Sequence, residues 1–178
     1  NYAQHLNLGP NIPTIKRRVF TRQQINKLWA IDTPYSRMIL MLLYTGLRIG
    51  ELLNLRRQDI NRRSSYLIVR HAKTKAGEGR IIPIHYRIMP IIEQLHTSEY
   101  LFTISYTSFR KHFQDIMKQL NCKHTIHDTR HTFASLLDAV APPNTLRSLL
   151  GHKQGDITTR VYTHKTIREL RKTIELLK

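Results

Sequence analysis

The chain has 178 residues, of which 40% are apolar, and its 29 Lys and Arg against 12 Asp and Glu give a formal net charge of +17. This length fits one domain, and the longest apolar run, residues 38–44, is far short of a membrane span, so we expect neither a membrane protein nor a secretory signal. Basic residues spread along the whole chain favour a polyanionic partner, although charge alone equally fits a ribosomal-type or merely soluble basic protein.

Cysteine and histidine usage argues against disulfide and metal chemistry. Cys122 is the only cysteine, so the sequence offers no disulfide framework and no thiolate zinc site, and we expect the reducing cytoplasm as its compartment. The ten histidines include no HExxH pattern and no pairing with cysteines at zinc spacing. These patterns therefore predict no disulfide framework and no zinc site.

The N-terminal third predicts a linker followed by three helices. Residues 1–18 mix glycine, prolines and basic residues without periodicity, which is typical of a linker, and we expect another segment before it. Thr21 with Gln24 forms a capping box that opens a short helix. Pro34 suits the first turn of the next helix and Gly46 its end, and a further helix is predicted at about residues 47–55.

The rest of the chain predicts a small hairpin inside a helical protein. Residues 66–69 and 80–84 are typical of strands, with Gly77 and Gly79 in the turn between them. The fold class is therefore α+β, mainly α-helical with a small antiparallel β-sheet. Further helices are predicted at residues 88–95, 107–120, 127–140, 144–150 and 166–177, with a Pro-Pro pair at one junction.

Two short motifs place cations beside possible partners. In Thr-Gly-Leu-Arg-Ile-Gly-Glu-Leu, Glu51 lies three residues after Arg48, on the same helical face, where it can orient the guanidinium. In His-Asp-Thr-Arg-His, the same spacing sets His127 beside Arg130. In isolation the pair of Arg48 and Glu51 is typical of a solvated helix surface, worth only about a few tenths of a kcal/mol, and a lone His-x-x-Arg is similarly common.

A third motif, Leu-Leu-Gly-His, ends a predicted helix at Gly151 and is followed ten residues later by Tyr162. A lone tyrosine on a basic helix is more often a packing residue than a nucleophile. The three motifs together, in order and approximate spacing, resemble the boxes of the tyrosine recombinases, the family of phage integrases and Xer-type resolvases. The resemblance covers roughly residue 21 to the C-terminus.

The resemblance implies the catalytic-domain fold of this family over residues 19–178, with residues 1–18 as the linker from a missing N-terminal DNA-binding domain. It also implies an active site of two arginines, a lysine, two histidines and a tyrosine. The hairpin segment Lys-Ala-Gly, followed by Arg-Ile-Ile-Pro, looks like the family's lysine pattern, which favours Lys75 and leaves Lys73 as the alternative. The implied catalytic set is Arg48, Lys75, His127, Arg130, His152 and Tyr162.

Phosphodiester chemistry agrees with these residue types. Cleavage without a metal leaves the extra negative charge of the phosphorane to side chains, and Arg48 and Arg130 can bind nonbridging oxygens bidentately. A tyrosine hydroxyl with a pKa near ~10 needs help in losing its proton, for which His127 is the proposed base. Lys75 would protonate the leaving 5′ oxygen, and His152 would donate a hydrogen bond to the phosphate.

The resemblance thus implies a site-specific DNA recombinase that forms a covalent 3′-phosphotyrosyl intermediate and needs no ATP, no metal and no organic cofactor. The resemblance implies double-stranded DNA as partner, a homotetramer on DNA, and a cytoplasmic, nucleoid-associated protein of bacteria, phages or mobile elements. The alternatives are an Xer-type resolvase, transposon integrase or relaxing topoisomerase of the same chemistry, or a catalytically idle DNA-binding module. The last is disfavoured because it has no need of Tyr162.

The terminal helix leaves two arrangements open, and a few residues depart from the family pattern. The apolar stripe of Ile167, Leu170, Ile174 and Leu177 at helical spacing predicts a terminal helix that either folds back on its own core or docks on a neighbouring protomer. Thr129 stands where the family commonly has an apolar residue, and the two prolines before the Leu-Gly-His motif are also less typical.

Overall fold

The computed structural model describes residues 18–72, 74–95, 99–151 and 167–177. These residues form eight α-helices, one three-stranded antiparallel sheet and three short 3-10 turns. The predicted class, mainly helical with a small antiparallel sheet, is confirmed. The elements are α1 (Arg22–Ile31), α2 (Pro34–Thr45), α3 (Ile49–Leu53), β1 (Ile60–Asn61), β2 (Tyr66–Val69), β3 (Arg80–Pro83), α4 (Met89–Glu93), α5 (Tyr106–Gln119), α6 (Ile126–Asp138), α7 (Pro143–Leu150) and α8 (Ile167–Ile174).

The first two helices begin where their capping residues predict. The Thr21 hydroxyl accepts the backbone N–H of Gln24 at 3.2 Å, and the Gln24 side chain accepts the Thr21 N–H at 2.8 Å. Pro34 occupies the first turn of α2, and Gly46 ends it with φ of 65°. A Cβ at Gly46 would lie 2.4 Å from the ring of Phe133 in α6, so only glycine allows α2 and α6 to approach this closely.

Helix α2 forms the centre of the core. Its residues 38–45 are all buried, and it packs against α1, α5 and α6. A helix that is apolar on all sides is expected at such a central position, whereas α5 buries one face through Phe109, Phe113 and Ile116. This packing fixes the end of α2, which Arg48 follows by three residues, against α6, which carries Arg130.

The sheet has the order β1-β2-β3, with Leu67 opposite Ile82 in the central pair. The hairpin of β2 and β3 confirms the predicted strands, apart from β3 ending at Pro83 instead of residue 84. Strand β1, which pairs with β2, was not predicted because two residues are too few to show an alternating pattern.

Three predicted helices are at least three residues shorter than expected, and one of them is α8, expected at residues 166–177 and found at Ile167–Ile174. The helix expected at residues 47–55 spans only Ile49–Leu53. The helix expected from residue 88 begins at Met89, after a 3-10 turn in which the ring nitrogen Nδ1 of His85 accepts the N–H of Arg87 at 3.1 Å.

No helix in the described part of the chain is long and apolar enough to cross a membrane.

The C-terminal helix α8 packs on β3 and α7 of its own chain. Leu170, Ile174 and Leu177 of the predicted apolar stripe are buried there. The buried His85 ring lies 3.0 Å, through Nε2, from the carbonyl oxygen of Leu177. Of the two arrangements considered, the single chain therefore shows the terminal helix folded back on its own core.

Candidate active site

The guanidinium of Arg130 joins the ends of two helices. Its Nη1 donates to the carbonyl of Gly46 at 2.6 Å, and its Nη2 donates to the carbonyl of Leu150. Both carbonyls belong to helix ends, where backbone acceptors lack partners within the helix. Arg130 is buried, and it brings the ends of α2 and α7 together beside α6.

Arg48 precedes the first turn of α3 and contacts Glu51 in two ways. The Arg48 backbone N–H donates to Glu51 Oε2 at 2.8 Å, and its Nη1 donates to Oε1 at 3.1 Å. The Arg48 side chain remains 29% exposed, so its guanidinium is open to a ligand. The prediction that Glu51 orients Arg48 is confirmed in these contacts.

Arg80, on the inward face of β3, is the main partner of Glu51. Its Nη2 and Nη1 reach Oε2 and Oε1 of the carboxylate at 2.6 and 3.1 Å, in a bidentate pair buried on both sides. In the sequence Arg80 was recognised only as part of the hairpin pattern, so its role as the partner of Glu51 was not predicted. The available signal was its position two residues before the buried Ile82, because residues two apart share one face of a strand.

Three guanidinium groups therefore surround one carboxylate. Burial alone would raise the pKa of Glu51, but the hydrogen bonds and charge of Arg80, with smaller effects of Arg48 and Arg130, hold that pKa below its usual value. Burial, together with the charges of Arg48 and Arg80, lowers the pKa of Arg130 to about 10. Arg130 still carries its charge at neutral pH, so the site holds an excess of positive charge suited to an anion.

The turn between β2 and β3 packs closely against the end of α7. Gly151 has φ of 64°, and a Cβ there would lie 2.8 Å from the Cα of Gly77. Arg80 reinforces the contact, because its Nη1 donates to the Gly77 carbonyl at 3.0 Å and its Nε donates to the Leu149 carbonyl at 3.1 Å. The turn that carries Lys75 is thus fixed beside the residue that precedes His152 in the sequence.

The remaining predicted residues fall into two groups. Lys75 is exposed in the 3-10 turn Lys75–Gly77, and His127 is exposed in the first turn of α6, one turn before Arg130. His152, Tyr162 and the alternative Lys73 lie outside the described residues. The structure therefore brings together Arg48 and Arg130 through Glu51, with Lys75 and His127 on adjoining elements.

The less typical residues noted in the sequence fit the fold. The Thr129 hydroxyl donates to the Ile126 carbonyl at 2.7 Å, which satisfies its buried oxygen within the helix. The first of the two prolines precedes α7 and the second occupies its first turn, a position where proline is tolerated. Among the described residues, no group of three His, Cys, Asp or Glu could hold a metal ion.

Comparison with known sequences places this geometry in a family. The sequence model of the phage integrase family matches residues 18–169. Tyrosine recombinase XerA of Pyrococcus horikoshii is 32% identical over 96% of this chain and 65% of its own length. Tyrosine recombinase XerA of Saccharolobus solfataricus is 33% identical over 94% of this chain and 60% of its own. The chain thus spans less than two thirds of these relatives.

Solved structures show the same fold. The integrase from mycobacterium phage Brujita superposes with a TM-score of 0.77 at 21% identity, covering 95% of this chain and 61% of its own. The Tn1549 transposon integrase in complex with circular intermediate DNA gives 0.69 at 22% identity, covering 93% and 67%. A crystal structure of XerA recombinase gives 0.67 at 26% identity, covering 94% and 66%. With its sequence matched over residues 18–169 and its arginine motifs joined around one carboxylate, the chain belongs to the phage integrase family of tyrosine recombinases.

Proposed function

We propose that this chain is the catalytic part of a site-specific DNA recombinase that cuts and rejoins strands through a 3′-phosphotyrosyl bond. The observation that carries the proposal is the cluster of Arg48, Arg80 and Arg130 around the single carboxylate of Glu51. A tetrahedral phosphate supplies the negative charge that this cluster lacks, and the phosphorane formed on attack carries one charge more. The site is therefore suited to bind the transition state more tightly than the substrate.

The proposed cleavage step uses residues of this chain alone. The phenolic oxygen of Tyr162 attacks the phosphorus, the bond from phosphorus to the 5′ oxygen breaks, and the DNA 3′ end becomes linked to the tyrosine. His127 takes the phenolic proton, and Lys75 gives a proton to the departing 5′ oxygen. Arg48 and Arg130 bind the nonbridging oxygens, and His152 donates a further hydrogen bond.

Rejoining reverses this step. The phosphotyrosyl bond keeps the free energy of the broken phosphodiester, so the 5′ hydroxyl of a second strand can displace the tyrosine without ATP. On this proposal the partner is double-stranded DNA, bound by a homotetramer that acts in the cytoplasm at the nucleoid. The Tn1549 integrase, a structural neighbour, is itself seen bound to DNA, and the net charge of +17 supports the same partner.

The biological setting has two candidates. Integration of a mobile element is the first, and resolution of the Xer type is the second. The XerA relatives, at 30–33% identity over most of this chain, favour the second. In either setting residues 19–178 serve as the catalytic domain and residues 1–18 as a linker to an N-terminal DNA-binding domain of the whole protein.

A nicked DNA substrate tests the proposed chemistry. Duplexes spanning candidate crossover sites are nicked near the cleavage position, so that the short fragment diffuses away and the covalent protein-DNA adduct accumulates. Tyr162→Phe removes only the nucleophilic oxygen, so we expect DNA binding to persist and the adduct to disappear. Tyr106→Phe, at an exposed tyrosine of α5, is the matched control and should form the adduct at the normal rate.

Mapping the adduct by peptide mass spectrometry identifies the nucleophile. A 3′ adduct formed by Tyr162→Phe would show that another residue attacks. Wild-type protein that binds the DNA with no adduct on any nicked substrate would favour the idle DNA-binding module.

A further inference from the structure

A basic cavity opens on the surface between the end of α5 and the segment that precedes α1. Its volume is about 610 Å³, and its lining includes the cationic side chains of Arg18, Lys118 and Lys123 together with the His124 imidazole. None of the described residues that line it is acidic. Asp115 lies 3.5 Å from Lys118, but both groups are mostly exposed and the pair is weak. The cavity is therefore suited to an anion.

The walls of this cavity are held by contacts between distant parts of the chain. The Arg18 guanidinium donates to the Lys123 carbonyl at 3.2 Å. The rings of Phe20 and His124 stack with centroids 3.8 Å apart, and the Phe20 N–H donates to the Thr132 hydroxyl at 2.9 Å. His124 Nε2 also lies 3.2 Å from Gln24 Oε1. A cavity fixed in this way loses little conformational entropy when a ligand binds.

One wall of the cavity is continuous along the chain with α6, the helix that carries His127 and Arg130. Lys123 and His124 precede α6, whose first turn carries His127 and whose second turn carries Arg130. The three residues of chain from His124 to His127, the proposed base, span at most about 10 Å. The DNA axis advances about 3.4 Å per nucleotide along one strand, so this distance corresponds to about three nucleotides.

We propose that this cavity binds a DNA backbone phosphate within about three nucleotides of the cleavage position. The inference rests on the proposed function and extends it, since it names a second point at which the protein holds the substrate. Arg18, Lys118 and Lys123 supply the charge, and the contact positions the strand without reading its sequence. Holding the strand at this second phosphate fixes the register in which the scissile phosphate meets Arg48 and Arg130.

The histidine in the wall gives the proposal a second observable. Burial lowers the pKa of His124, as does the charge of Arg18, while Asp128 raises it in part. Among the described residues His124 Nδ1 has no hydrogen-bond partner, and the nearby Asp128 Oδ2 lies 3.8 Å away. An entering phosphate adds negative charge beside the ring and favours its protonated form, so binding should raise the pKa of His124.

The test measures DNA affinity as a function of salt for Arg18→Gln and Lys123→Gln. Each phosphate contact contributes about 0.9 to the slope of log affinity against log salt, so each variant should show a slope smaller by up to about 0.9. The matched control is Lys172→Gln, at an exposed lysine of α8 away from the cavity, which should keep the wild-type slope. Lys118→Gln, at a lysine whose side chain is 80% exposed, serves as a further variant that we expect to fold as wild type does.

A scan of single phosphates then locates the contact. Each phosphate within about five nucleotides of the nick is replaced in turn by a neutral methylphosphonate. At one flanking position we expect the replacement to lower the DNA affinity of wild type several-fold. The same replacement should leave the DNA affinity of the Arg18→Gln/Lys123→Gln double variant unchanged, because that variant has already lost the contact. In the wild-type complex, the NMR titration of His124 should shift to higher pH, and this shift should be smaller with the methylphosphonate at that position.

The outcomes separate the two proposals. Wild-type slopes in all the cavity variants, or additive losses at every methylphosphonate position, would overturn the phosphate site while leaving the adduct assay untouched. Inorganic phosphate that raises the His124 pKa, without any coupling in the scan, would identify a free-anion site and also overturn it. At saturating DNA the cavity variants should still form the adduct on Tyr162, but more slowly than wild type because the strand is held less firmly, whereas Tyr162→Phe should form none.

Discussion

Glu51→Gln is the sharpest perturbation of the arginine cluster, because it removes one charge and almost no volume. The carboxylate accepts hydrogen bonds from Arg48 and forms the buried bidentate pair with Arg80. A glutamine amide keeps one acceptor oxygen but turns an NH₂ group toward a guanidinium that also needs an acceptor. The three guanidinium groups are then left with no anionic partner among the described residues.

Removing one member of a buried ion pair typically costs about 3 to 5 kcal/mol, since the remaining charge is left uncompensated. For a chain of this size each kcal/mol lowers Tm by about 2 to 4 °C, so we expect Glu51→Gln to melt about 6 to 20 °C below wild type. Asp115→Asn is the matched control, because it breaks an exposed pair with Lys118 and should change stability by less than about 0.5 kcal/mol.

The assay is urea unfolding with and without a phosphate-containing polyanion. A bound polyanion replaces the missing negative charge, so it should stabilise Glu51→Gln by more than it stabilises wild type. The pKa of Glu51 in the folded protein, which is lowered, sets the pH at which wild type stops being more stable than Glu51→Gln. The difference in their free energies of unfolding is complete above the ordinary carboxyl pKa of about 4.3. It disappears as the pH falls through the pKa of Glu51 in the folded protein. A loss below about 1 kcal/mol at neutral pH, or equal stabilisation by polyanion, would refute the reasoning.

Three further predictions follow from single residues. Gly151→Ala should lower the free energy of unfolding in urea by about 2 to 4 kcal/mol, because the residue has a positive φ and its Cβ would lie 2.8 Å from a backbone atom. The control is Gly79→Ala, where φ is 72° and the space around is open. It should lower the free energy of unfolding by only about 1 to 2 kcal/mol, from φ alone. Burial keeps the pKa of His85 below its usual value, so stability should fall as pH drops below about 6.5, and His85→Gln should weaken that dependence in unfolding measured from about pH 7.5 to 5.5. Lys75→Ala should slow cleavage by about 10² to 10⁴, because the leaving 5′ oxygen loses its proton donor. A DNA substrate with sulfur in place of that bridging 5′ oxygen should restore much of the cleavage rate, since the sulfur can leave without a proton. If the sulfur substrate rescues Lys73→Ala and not Lys75→Ala, the general acid is Lys73.

Local signals in the sequence were enough to predict most helices and the hairpin. The capping box at Thr21, the proline at the start of α2 and the positive-φ glycine at its end act over a few residues, so a linear pattern contains them. The ends of α3 and α4 were overextended because their limits depend on packing and on a side chain, His85, that bonds to the following turn. Strand β1 exists only through its pairing with β2 and leaves no pattern of its own.

The site was predictable only in part for the same reason. The pair of Arg48 and Glu51 lies within one turn of helix, so its contact follows from spacing. Arg80 lies 29 residues from Glu51, and Arg130 binds carbonyls 84 and 20 residues away, at Gly46 and Leu150. Such contacts depend on how whole elements pack, which the spacing of residues along a sequence does not specify.

The arginine cluster contains three guanidinium groups and one carboxylate, and this ratio links the stability of the protein to its affinity for phosphate. A second buried carboxylate would neutralise the guanidinium groups and compete with phosphate for the same donors. With no carboxylate, Arg80 would lose its only anionic partner among the described residues, and the hairpin turn would lose part of its hold on the end of α7. One glutamate against three arginines fixes the geometry of the elements while leaving positive charge unbalanced. The stability of the free protein and its affinity for phosphate are therefore coupled through Glu51, so substitutions there should change both together.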